Sequence, residues 1–181
     1  MRTSDAAQDR ERAIDALDVL NDLIGDLVTG TNVLRDYHAQ HSKGKVPDEL
    51  LPAIRRMCIS HLVLGCCKTI EVYERFHDLI PEPQHAEAKS LVKEFRARGM
   101  DSFRNKVVGH IWDKDRGRPL RLSEITEQLQ TIMKNDVDGF LSWINRLEQG
   151  EQPGTIVATL EQIRGSLVEK FKVTPDQVVQ R

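Results

Sequence analysis

The sequence predicts an all-α, up-and-down helical bundle of four to five main helices plus a C-terminal helix, on three observations. Apolar residues recur at spacings of three and four over long windows, the signature of amphipathic helices. Aromatic residues make up only 5% of the chain, and β-branched runs bounded by turn residues are almost absent, which leaves little material for sheets. The periodic stretches are separated by short Gly- and Pro-containing connections, as in a bundle of antiparallel neighbours. At 181 residues the chain is a single helical domain spanning 1–181, large enough to bury roughly 70% of its unfolded surface. Its core bundle covers about residues 5–149, with an additional C-terminal helix over about 154–172 and a short tail.

Residues 5 to about 38 carry Ile14, Leu17, Leu20, Leu23, Ile24, Leu27 and Val28 on one face, with Asp15, Asp18, Asp22 and Asp26 opposite. The run Thr29-Gly30-Thr31-Asn32 is a candidate break, and 42–47 is a loop by composition. Asp48 is a candidate N-cap for a second helix reaching about Leu79, with Pro52 in its first turn, where a missing N–H costs little. The centre of that helix, Cys58 to Cys67, is apolar nearly all round, so it is expected to be buried on most sides, His61 included, within the bundle or against a second subunit. Pro81 and Pro83 end it; a third helix covers about 83–98, and Gly99 stops that one. Asp101 or Ser102 can cap a fourth segment, which would place Arg104 and Asn105 near a helix N-terminus, where exposed N–H groups favour anions. Residues 113–119 read as a polar turn. Ser123 caps one strong helix running from Ile125 to Leu147, closed by Gly150 and Pro153, and a last helix carries Ile156, Leu160, Ile163, Leu167 and Phe171.

Net charge is −2, yet unevenly placed: between Lys89 and Arg121 the balance is +6, and elsewhere it is −8. A basic belt on an acidic body attracts phosphates, or balances acidic neighbours within the fold. Three cysteines, two of them adjacent, make no disulfide framework. Together with a polar, acidic beginning that does not resemble a signal peptide, they point to a reducing, cytoplasmic setting. No apolar run reaches the roughly 18 residues that span a bilayer, so no membrane partner is expected. Cys58, His61, Cys66 and Cys67 have diverging helical phases and no C-x₂-C pair, so they read as packing residues and no metal is expected. Asp113-x-Asp115-x-Gly117 lacks the remaining ligand positions of a calcium loop. Trp112 and Trp143 read as core or dimer contacts. No P-loop, dinucleotide glycine pattern or nucleophile elbow occurs, and no cofactor is expected.

The stretch Asp101 to Trp112, D-S-F-R-N-K-V-V-G-H-I-W, brings an arginine, an amide and a histidine together: Arg104, Asn105 and His110. An arginine can hold a phosphate through a planar fork of donors, and a histidine can move a proton near neutral pH. An Arg followed four to six residues later by His also occurs at Arg35–His41, Arg55–His61 and Arg56–His61, so the spacing alone decides nothing. Arg35 is expected to pair with Asp36 at the surface. Only Arg104 and His110 combine the neighbouring amide, a helix start, Gly109 before the histidine and the basic belt. On one straight helix, residues six apart point about 120° away from each other with about 9 Å of rise. Convergence on one phosphate therefore requires a kink near Gly109 or, as favoured here, two copies facing across a twofold axis.

The segment Arg104-Asn105-Lys106-Val107-Val108-Gly109-His110, after paired helices and before another long helix, resembles the HEPN superfamily of small helical proteins. Its motif is an arginine, then a polar residue, then a histidine after four to six residues in all, and positions 104, 105 and 110 match it. The resemblance covers the layout of about residues 5–149, and its specific part is those seven residues. Many members are RNase toxins or phage-defence effectors that dimerise with their motifs face to face and cut RNA without metal; non-catalytic members also exist. The resemblance implies a homodimer acting on RNA, not DNA, with an antitoxin as a further partner. His110 would serve as general base on a ribose 2′-hydroxyl, or as acid on the leaving 5′-oxygen. Arg104 would neutralise the phosphorane-like charge, and Asn105 would orient the histidine or the phosphate. Lys106, Lys114, Arg116 and Arg118 would hold flanking backbone, and the product would be a 2′,3′-cyclic phosphate. Two other classes stand beside it: a non-catalytic module whose basic cleft holds RNA, a nucleotide or a partner's acidic segment, and a purely structural dimer.

Overall fold

The structure, a computed structural model, describes residues 3–105, 112–113, 117–146, 154–174 and 176–177. Its first element, α1 (Thr3–Ser42), is 40 residues long, about 60 Å of helix. Ala13, Ala16, Leu17, Leu20, Leu23 and Leu27 are buried along one stripe, while Asp15, Asp18 and Asp22 remain exposed on the other. The expected break at 29–32 does not occur. Thr31 is fully buried with its hydroxyl donating to the Leu27 carbonyl at 2.6 Å, so its polar group is satisfied inside the helix. Gly30 serves close packing instead: a Cβ there would come within 3.0 Å of Leu62 Cδ2.

Helix α2 (Leu51–Phe76) runs antiparallel to α1: Arg12 binds Asp78 near one end of the pair, and Arg55 meets His38 near the other. Gly65 mirrors Gly30, because a Cβ there would lie 2.7 Å from Leu27 Cδ2. The two glycines let the two longest helices approach closely. The start of α2 differs from expectation. Leu50 occupies the N-cap with no side-chain bond, and Asp48 instead binds His41 Nε2 at 2.8 Å across the connecting loop. The helix also ends three residues before the predicted Leu79. Its centre is buried as expected at Cys58, Ile59, Leu62, Val63, Cys66 and Cys67. His61 is the exception: it is exposed, facing a groove between α1 and α2 that Val33 and Met57 also line.

Helix α3 (Gln84–Ala97) packs on α2, and α7 (Ile156–Phe171) packs between α3 and α1. The four helices α1, α2, α3 and α7 therefore form a closed ring around one core. The C-terminal helix, predicted as an addition to a 5–149 bundle, holds the fourth place in it. Its stripe of Ile156, Leu160, Ile163 and Leu167 is buried, and Lys170 Nζ reaches the Leu79 carbonyl at 2.8 Å. Thr155 caps it by accepting the Ala158 N–H.

Between α3 and α7 lie α4 (Met100–Phe103), a two-residue hairpin of β1 (Trp112–Asp113) with β2 (Arg118–Pro119), α5 (Leu122–Ile132) and α6 (Val137–Ile144). The hairpin falls where a polar turn is predicted, and Gly117, at φ 61°, supplies its left-handed turn residue. The single helix predicted from Ser123 to about residue 149 is instead two. Lys134 and Asn135 take left-handed backbone angles, the Asn135 N–H bonds the Gln130 carbonyl at 2.9 Å, and Asp136 caps α6 through the Gly139 N–H at 2.8 Å. A left-handed stop followed by an Asp cap is an Asn-Asp signal, overridden on paper by the continuous apolar periodicity. Arg121, not Ser123, precedes the first turn of α5, and Glu124 reaches back to accept its N–H.

Candidate functional site

The Arg104-Asn105 pair is positioned by the sharp turn between α3 and α4. Gly99 adopts a left-handed φ of 77°, open to glycine at little cost, and the chain re-enters helix at Met100. Met100 and Phe103 are fully buried against α2 and α3. Their spacing of three turns Asp101, Ser102, Arg104 and Asn105 outward. The backbone continues in π-helical geometry through Arg104 and Asn105, and the Arg104 N–H is already bonded to the Asp101 and Met100 carbonyls. The motif arginine thus sits one turn past the start of α4, with its own N–H already satisfied within the helix. The helix start expected near Arg104 lies at Met100, set by burial of Met100 and the Gly99 turn rather than by an Asp101 or Ser102 cap.

Arg104 lies half-exposed, with Nη1 bound to Glu71 of α2 and Nε 3.4 Å from the Asn105 Oδ1. On the same face, Asp101 forms an ion pair with Arg96 Nε at 3.4 Å, and Arg96 also binds Glu74. The Glu71–Arg104 pair and the Asp101–Arg96–Glu74 group together make a ladder of charge across α2, α3 and α4. Behind the ladder lies the buried Cys67 thiol, held 3.5 Å from the Met100 carbonyl. Burial, reinforced by Asp101, pushes this thiol up to about 11, so it remains a neutral packing group. Burial likewise raises the Cys58 and Cys66 thiols.

Of the seven basic residues of the belt that are described, four are engaged within the chain. Arg98 is paired with Glu94, and Arg118 makes a two-point contact with Glu124 at 2.9 and 2.7 Å that ties the hairpin to α5. With Arg96 and Arg104, four of the belt's arginines have carboxylate partners. The exposed Lys89 and Lys93 have no ion pair among the described residues. Lys106, Gly109, His110, Lys114 and Arg116 lie outside the described residues. Trp143, expected as a core or dimer contact, is partly buried against the core, stacked by Arg98 and meeting Phe95 edge-on.

The second Arg–His group also departs from expectation. Arg35 does not pair with Asp36; its Nη2 donates to the Asn145 carbonyl at 2.6 Å, while Nη1 is buried without a hydrogen-bond partner. His38 stands beside it with Nε2 facing the Arg55 guanidinium at 3.3 Å. Burial and then the Arg55 charge lower its pKa, favouring the neutral ring with a free lone pair toward Arg55. A further site escaped the sequence: a cleft between the start of α2 and α5 that Arg55 and Arg56 line. Its only linear trace is a pair of arginines in the first turns of a mostly apolar helix.

Fold and site define an all-helical bundle with an arginine–asparagine pair at the surface, where α4 leaves the ring. Among solved structures, the integron cassette protein Vpc_cass2, from the mobile metagenome of V. paracholerae, is similar to this chain. The two share 24% identity and a TM-score of 0.73 over 87% of this chain and 96% of that one, a likeness that establishes the all-helical fold. No protein-family model and no curated protein matches the chain.

Proposed function

We propose that the chain is a HEPN-like, metal-independent endoribonuclease, a toxin or phage-defence effector cutting RNA to 2′,3′-cyclic phosphate ends at a composite homodimer site. The observation that carries this reading is the state of Arg104. It is surface-accessible beside Asn105 and restrained by one carboxylate, with side-chain exposures of 37% for Arg104 and 59% for Glu71. An ion pair this exposed contributes about 0–1 kcal/mol, so an RNA phosphate offering a two-point contact can displace Glu71. Arg104 then stabilises charge developing on the phosphate, Asn105 orients, and His110 moves the proton. Lys106, Lys114 and Arg116 hold flanking backbone; Arg118 joins them only by releasing Glu124. The test is RNA cleavage by purified protein in EDTA, compared with His110→Ala and Arg104→Ala. Cleavage lost in both variants is expected, and undiminished cleavage by His110→Ala refutes the assignment.

A second reading, a non-catalytic module holding RNA, a nucleotide or an acidic partner segment, is favoured by the internal pairing of Arg96, Arg98, Arg104 and Arg118. That pairing leaves a weaker positive field than the sequence suggests. Salt-dependent RNA binding without cleavage selects it.

A further inference from the structure

The cleft between α2 and α5 has a volume of about 480 Å³, within the range of small-molecule sites. Ile59, Leu129 and Met133 form its floor, each buried beneath it, and Leu122 stands at its edge 58% exposed. Leu122 thereby extends the apolar surface of the hollow out to its rim. Its charge is of one sign: beside the uncharged Thr126, Gln130 and Asn135, Arg55 and Arg56 line the cleft, and among the described residues no carboxylate does. Arg55 is steadied by the ring nitrogen of His38 at 3.3 Å. Arg56, half-buried, makes no hydrogen bond or ion pair among the described residues. A guanidinium without a partner at the mouth of an apolar cavity is matched by an anion attached to an apolar body.

We propose that this cleft binds a small amphipathic anion, with its apolar body on Ile59, Leu129 and Met133 and its carboxylate or phosphate head between Arg55 and Arg56. The site is separate from the Arg104 ladder, since Arg56 and Glu71 are about 22 Å apart along α2, and it does not depend on the nuclease reading. A macromolecular occupant is the less suited one, because an apolar side chain seated in the cleft would leave the guanidinium groups of Arg55 and Arg56 at its wall without an anion.

The experiment titrates the full chain with decanoate, below its micellar concentration, by isothermal titration calorimetry, with decanol as the uncharged counterpart. Saturable one-site binding is expected, weakened about tenfold or more by Arg56→Gln through loss of a charge-assisted contact, and weaker for decanol. Thr126→Trp, from an exposed position on the cleft wall, is expected to fill the hollow and abolish binding while helicity is retained. If that variant fails to fold, Arg56→Gln and Arg56→Glu carry the test. Absence of saturable binding overturns the proposal and leaves the cleft to an apolar side chain of a protein partner. Binding that Arg56→Gln leaves unchanged overturns it too, since the arginines would then not be reading the head group.

Discussion

Removing Arg98 should unfasten the junction of α3, α5 and α6. Its side chain is 11% exposed, and its guanidinium makes three distinct contacts. The carbon of the fork lies 3.7 Å from the centre of the Trp143 ring, Nη1 donates to the Ile132 carbonyl at 3.2 Å, and Nε and Nη2 hold Glu94 Oε1 at 3.1 and 2.6 Å. A charged donor on a half-buried carbonyl contributes about 1.5 kcal/mol, and a partly desolvated cation over an indole about 1–2 kcal/mol. Glu94 is 41% exposed, so the ion pair adds less than about 1 kcal/mol. Arg98→Ala is therefore expected to cost about 3–4 kcal/mol. Arg98→Lys should recover only part of this, since an ammonium keeps the charge but loses the planar fork. Urea unfolding followed by helical circular dichroism measures both, as a lower midpoint at unchanged slope. Lys93→Ala, at an exposed and unpaired position, is the control and should stay within about 0.5 kcal/mol. A cost below about 1 kcal/mol for Arg98→Ala, or a lysine variant equal to the parent, would refute this account.

Gly65→Val should destabilise by about 1–3 kcal/mol, because Leu27 Cδ2 and Cγ occupy the space its side chain needs. Gly25→Ala, with nothing within 4 Å of the new methyl, should instead stabilise by up to about 1 kcal/mol through helix propensity; the two are compared by thermal unfolding. All three cysteines are buried with raised thiol pKa values, so Ellman's reagent should label them only slowly in the native protein and fully in denaturant. Asp78 is held below its ordinary range first by its hydrogen bond from Arg12. Its contribution is thus present above the unfolded carboxylate pKa and lost as pH falls through the lower folded one. Asp78→Asn should cost less than about 1 kcal/mol at neutral pH, given 50% exposure, and the difference should close in acid, as stability measured across pH would show. Glu71→Gln frees Arg104 and, on the proposed function, should tighten RNA binding and steepen its dependence on salt by about one counterion; an unchanged slope would mean that Arg104 does not meet phosphate.

What residue order determined by itself was helical periodicity: the buried stripe of α1, the apolar heart of α2, the stop at Gly99 and the span of α7 from Ile156 to Phe171. These are properties of one helix and its own backbone, where neighbours three or four residues apart decide which side faces inward. Tertiary packing decided the rest. Gly30 reads as a breaker in one dimension and works as a spacer once Leu62 is placed against it. His61 sits in an apolar run yet faces outward, because the adjoining surface of α1 leaves a groove at that position. Along the chain the basic belt counts as net positive, but four of its arginines meet carboxylates once folded. Folding sets Glu71 and Glu74 of α2 beside Arg104 and Arg96, and partners from such distant positions cannot be inferred from a window of local charge. The α2–α5 cleft had no linear signature for the same reason: its walls are more than sixty residues apart in sequence and meet only where the two helices touch.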